Sequence, residues 1–159
     1  MAFVDFRNAQ AGESTLDARL KELVRLRIAF HNQYRSCMAI RYPIDGDAVV
    51  DEDLVWSLEK PHTAENLTDA EKSAIAFADK FATNHYAIGD ADYADLRRHF
   101  SEPELVELGL LCALSVGIGR LSATWHMVDE IPAAFREAEV GQVKPWMEQP
   151  IEIGKREPA

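Results

Sequence analysis

The chain has 159 residues, 47% of them apolar and 28% charged, with a formal net charge of −10. That is the size of one domain with a core of its own, and the apolar share excludes a disordered chain. The acidic balance argues against nucleic acid as a partner, because such binding needs a basic footprint.

Helix signals dominate the sequence. Ser14-Thr15-Leu16-Asp17 predicts a helix start, and Leu16, Leu20, Leu23, Val24 and Ile28 recur at three-to-four spacing towards Asn32. Asn32-Gln33 interrupts this helix, and a short one is expected from about Tyr34 to Arg41, closed by Pro43 and Gly46. Residues 51–60 read as a short helix with Leu54, Val55 and Leu58 inward. Thr68-Asp69-Ala70-Glu71 is a second capping box, leading a helix with Ile75, Phe77, Ala78 and Phe81 apolar. Asp90 caps another short helix. Ser101-Glu102-Pro103-Glu104 starts the longest one, which runs on towards Val128. It is apolar nearly all round, so it is expected at the buried centre, with Gly117 and Gly119 allowing a close approach or a kink. From about 141 an extended tail follows, whose Trp146 and Met147 should pack on their own domain or on a neighbour.

The longest apolar run, LGLLCALSVGIG (108–119), is too short to span a bilayer, and no charged-then-apolar leader opens the chain. Two cysteines, Cys37 and Cys112, make no disulfide framework. One domain over 1–159, in a reducing, cytoplasmic setting without a membrane partner, is the expectation.

Residues 18–41 carry Arg19, Lys21, Arg25, Arg27, Arg35 and Arg41 against one acid, Glu22. Either these cations pair with acids elsewhere in the fold or on a neighbouring subunit, or their field favours an anion such as a thiolate. His31, His62, His85, His99 and His126 show no HxH or HExxH spacing, and no phosphate loop or GxSxG occurs, so no metal or cofactor is expected. His126 either faces a pocket or is an ordinary histidine.

Three segments in order, KELVRLRIAFHNQYRSCMAIRY, LTDAEKSAIAFADKF and FSEPELVELGLLCALSVGIGRLS, resemble the carboxymuconolactone decarboxylase family, in its alkylhydroperoxidase D-like branch. The resemblance spans about residues 15–128. It implies an all-α fold, a compact bundle of six or seven helices, and a homo-oligomer, commonly trimeric or hexameric and sometimes dimeric. In that branch a glutamate is followed after twelve residues by a cysteine, three further by a second, and four further by a histidine. The glutamate and histidine relay protons while the dithiol reduces hydroperoxides. Here the glutamate position is Glu22 and the second cysteine is Cys37, but the first cysteine is Tyr34 and the histidine is Arg41.

The departures have chemical content. Without a thiol at 34 no internal CxxC disulfide forms, so an oxidised Cys37 would need an external thiol reductant. Cys112 is expected to be a small buried hydrophobe rather than a resolving thiol. Arg41 cannot exchange protons but can stabilise an anion. On one helix, Tyr34, Cys37 and Arg41 would share a face, and Arg41 one turn away should lower the Cys37 pKa. Glu22 would oppose that or accept a hydrogen bond from Tyr34. The resemblance thus implies a peroxiredoxin-type oxidoreductase acting on a small hydroperoxide through Cys37, with Glu22, Tyr34 and Arg41 around it. The alternatives are decarboxylation of a lactone acid, with Arg41 holding a carboxylate, and a non-catalytic oligomer binding a small ligand such as an organic acid.

Overall fold

The computed structural model describes residues 14–44, 47–48, 50–125, 131–136, 143–146 and 151–152. Among these, seven α-helices form an all-α bundle: α1 (Ala18–Asn32), α2 (Arg35–Ala39), α3 (Glu52–Trp56), α4 (Asp69–Thr83), α5 (Asp90–Leu96), α6 (Glu102–Ala123) and α7 (Ala133–Arg136). Two-residue strands add minor pairings. Ile40–Arg41 (β1) runs parallel to Ile151–Glu152 (β4), and Pro43–Ile44 (β2) runs antiparallel to Asp47–Ala48 (β3).

The helix starts follow local chemistry. Thr68 and Glu71 exchange side-chain and backbone hydrogen bonds at the head of α4, and at α6 the Ser101 N–H and hydroxyl both donate to the Glu104 carboxylate. The Asp51 carboxylate accepts from the Leu54 N–H at α3. At α5 the cap is Gly89, one residue earlier than expected, and Asp92 accepts its N–H. At α1 the cap is Asp17. Ser14 and Thr15 instead bind the Glu107 carboxylate on α6, through both hydroxyls and the Thr15 N–H.

The centre of the bundle is α1, not α6. Leu20, Val24 and Ile28 pack into a core with α4, α5 and α6 that includes Ala74, Phe77, Leu96, Leu108 and Cys112. Leu23 and Leu26, on another side of α1, join Leu54, Val55, Leu58, Ile75 and Trp146. α6 buries only Leu105, Leu108, Cys112, Gly119 and Ser122, and leaves Val106, Leu110 and Leu121 exposed by 64%, 45% and 55%. Its apolar character all round therefore marks an uncovered face rather than a central position. By length and composition α6 is the one described helix that could cross a membrane, but it packs along α1 and α4. At Gly119 it comes so close to α1 that a Cβ would strike the Asn32 amide, whereas Gly117 faces open space. The Asn32 amide donates to the Ser115 carbonyl at 2.9 Å.

In the tail, Val143 and Trp146 are buried on their own chain, Trp146 against Phe30 with ring centroids 5.2 Å apart. Met147, His126 and the residues to Val128 lie outside the described residues.

The cations of residues 18–41 are mostly engaged within the fold. Arg19 pairs with Glu71, Arg27 with Asp79 and Arg41 with Glu52, while Arg35 donates to the Phe135 and Arg136 carbonyls. The fourth ion pair joins Arg25 to Glu22 and shapes the site.

Candidate functional site

α1 ends at Gln33, whose backbone is left-handed (φ 52°), and this turn reverses the chain into α2. Its side chain holds the turn by donating to the Phe30 and Val143 carbonyls at 2.6 and 3.0 Å and accepting from the Val143 N–H. α2 packs Met38 and Ala39 against Ala29, Ile131, Phe135 and Val143, with Cys37 at the margin of that cluster. The short helix is thus laid back across α1, and Cys37 comes near Glu22 and Arg25 although twelve or more residues separate them.

α2 stops at Ala39, and Ile40 and Arg41 are extended. Tyr34 is the N-cap residue, also extended and without a side-chain cap bond. The expected helical face shared by Tyr34, Cys37 and Arg41 does not exist. Arg41 is buried and all five of its N–H groups are spent: on the Glu52 carboxylate (2.8 and 3.1 Å) and on the Met38, Ile40 and Pro145 carbonyls. It fastens the chain between α2, α3 and the tail, and has no donor left for a substrate anion. Among the described residues no hydrogen bond joins Tyr34 to Glu22.

The cation at Cys37 is Arg25. Its Nε and Nη2 each donate to the buried Glu22 carboxylate at 2.6 Å. Nη1 donates to the Cys37 carbonyl at 2.7 Å and Nη2 to the Ile40 carbonyl at 2.8 Å. Its guanidinium carbon lies 4.8 Å from the centre of the Tyr42 ring, and the Tyr42 N–H donates to Glu22 at 3.3 Å. Among the described residues four of its five N–H groups are committed to oxygen acceptors, and Arg25 also reaches the Cys37 side chain by hydrogen bonding. Burial works against the Arg25 charge, but Glu22 outweighs it and holds the guanidinium more firmly protonated than an exposed arginine.

Burial pushes the Cys37 thiol up. Arg25, through charge and hydrogen bonding, pulls it down, and Glu22 pushes it up again. The balance lies above the ordinary thiol value, so the expectation of an acidified Cys37 is corrected: the resting group is a protonated thiol. Cys112 is fully enclosed by apolar side chains, which push its thiol up to about 12. Among the described residues no three His, Cys, Asp or Glu side chains converge as metal ligands.

Of the sequence-predicted site residues, the structure brings Glu22 and Cys37 together, leaves Tyr34 at the edge, and turns Arg41 elsewhere. Arg25 was missed. Its spacing of three from Glu22 on a helix was the available signal, since such pairs meet on one face.

Compared with known proteins, the chain matches no family model and no curated protein. The resemblance to the carboxymuconolactone decarboxylase family accordingly rests on the three segments and two motif positions quoted above.

Proposed function

We propose that the chain is a slow, single-cysteine thiol oxidoreductase of carboxymuconolactone decarboxylase type that consumes small hydroperoxides. The observation that carries the reading is Cys37, part-exposed, with the buried Arg25 guanidinium bonded to its carbonyl and reaching its thiol by charge and hydrogen bonding. In its thiolate form Cys37 attacks one peroxide oxygen. The O–O bond breaks, the other oxygen leaves as alcohol after taking a proton, and sulfenic acid remains. A thiol reductant then forms a mixed disulfide and releases water, and a second thiol frees Cys37 as the external disulfide departs. Tyr34 supplies no resolving sulfur, so both reducing equivalents come from outside.

The test is consumption of tert-butyl hydroperoxide with dithiothreitol. Slow turnover, abolished in Cys37→Ser and kept in Cys112→Ser, is the expected result. Turnover surviving Cys37→Ser overturns the assignment.

A second reading has its own support. The protonated thiol and the committed Arg41 favour a non-catalytic ligand-binding member of the family, and this reading takes over if wild-type protein shows no turnover. Decarboxylation of a lactone acid loses the group meant to hold its carboxylate, because every Arg41 donor is occupied. In either surviving reading we place the protein in a homo-oligomer, with the uncovered apolar face of α6 as contact surface.

A further inference from the structure

Resting on the thiol oxidoreductase reading, we propose that Glu22 is a brake on Cys37 and not its base: it engages the Arg25 charge that would otherwise stabilise the sulfur anion.

The geometry gives Glu22 both of its oxygens to Arg25 at 2.6 Å, so two N–H groups of the guanidinium point away from Cys37. A proton placed on either Glu22 oxygen would displace an Arg25 N–H from it and break the buried ion pair. Arg25 meanwhile stays anchored on the Cys37 and Ile40 carbonyls, so its position does not depend on Glu22 alone. Loosening the pair leaves the cation in place and removes the opposing charge.

Among the described residues, the other charged groups around α2 are engaged elsewhere. Arg41 is tied to Glu52, and Arg35 donates to the carbonyls of α7. Arg136, the one charged side chain on α7, has no contact with Cys37 among those described, and Lys144 in the tail pairs with Glu59. Among the described residues, Glu22 and Arg25, both from α1, are therefore the two charges that act on the sulfur, in opposite senses.

The test is the pH profile of iodoacetamide alkylation at Cys37, followed by peptide mass, for wild type, Glu22→Gln, Arg25→Gln and the double variant. Glu22→Gln is expected to move the midpoint down and speed alkylation at pH 7.5 about three- to tenfold, since a thiolate fraction changes tenfold for each pKa step. Arg25→Gln is expected to move it up and slow alkylation. A base role for Glu22 gives the opposite result, and a Glu22→Gln midpoint at or above wild type overturns the proposal. Where a single variant does not fold, the double variant removes both buried charges together, which the fold tolerates better than an unpaired one. Its midpoint should lie above wild type, because Arg25 exerts the larger pull, and a midpoint at or below wild type also overturns the proposal. Alkylation needs no peroxide. Absent turnover with midpoints moving as stated defeats the oxidoreductase reading alone, whereas turnover with unmoved midpoints defeats the brake alone.

Discussion

Asp79 shows how single side chains of the basic segment are held. It accepts from Arg27 Nε at 2.6 Å and from His31 Nε2 at 2.7 Å. Burial alone would raise its carboxyl, but the hydrogen bonds from His31 and Arg27 and their charges outweigh that and hold it below the usual aspartate range. A carboxyl depressed in the folded state adds stability above its unfolded pKa of about 3.9, and that stability is lost as pH falls through the lower folded value. Asp79→Asn should therefore cost about 1–3 kcal/mol at neutral pH. The gap from wild type in urea melts should narrow below about pH 4. A gap that stays constant from pH 7 to pH 3 would contradict the assignment. Among the cysteines the same weighing of burial against charge separates Cys37, which has a cation, from Cys112, which has none.

Among the elements, α6 makes the cleanest comparison because its two glycines sit in opposite surroundings. Gly119→Ala would press a methyl into the Asn32 amide and disturb its bond to Ser115, at about 1–3 kcal/mol. Gly117→Ala meets nothing and should be neutral or add up to about 1 kcal/mol from helix propensity. Equal melting temperatures for the two variants would refute the close approach of α1 and α6. Most element starts were legible in the sequence, because Thr68 with Glu71, Ser101 with Glu104, and Asp51 cap their helices within four residues. The end of α2 was not. Ile40 and Arg41 leave the helix for partners distant in sequence, Ile151, Glu52 and Pro145, which no local pattern announces. The site was half legible for the same reason. Glu22 and Cys37 sit at the spacing of the family the sequence resembles, but which cation serves the thiol depends on how α2 folds back over α1.

At the scale of the whole molecule, the misplaced centre is the instructive point. α6 is the most apolar helix, yet α1, rich in arginine, lies in the middle, because its cations reach acids and carbonyls on surrounding elements. The proposed oligomer would use the apolar surface left on α6. Leu110→Arg with Leu121→Arg should reduce the mass found by light scattering at micromolar concentration without lowering helix content. A wild-type monomer at that concentration would remove the oligomer from the proposal.

The Gln33 turn has a consequence for how the molecule breathes. A non-glycine residue in the left-handed region carries about 1–3 kcal/mol of strain, and here it is held by a two-way amide clasp to Val143. Arg41 grips the same stretch of chain at Pro145. The helix bearing Cys37 is thus latched from a segment more than a hundred residues away, and its lifetime in the closed state is set there. Cutting the chain ahead of 143 should speed amide hydrogen exchange across residues 35–39 while residues 69–83 keep their protection. Unchanged exchange at 35–39 would show that the clasp does not hold the turn. If the latch holds, the reactivity of Cys37 is timed from the far end of the chain, by how often the tail lets go.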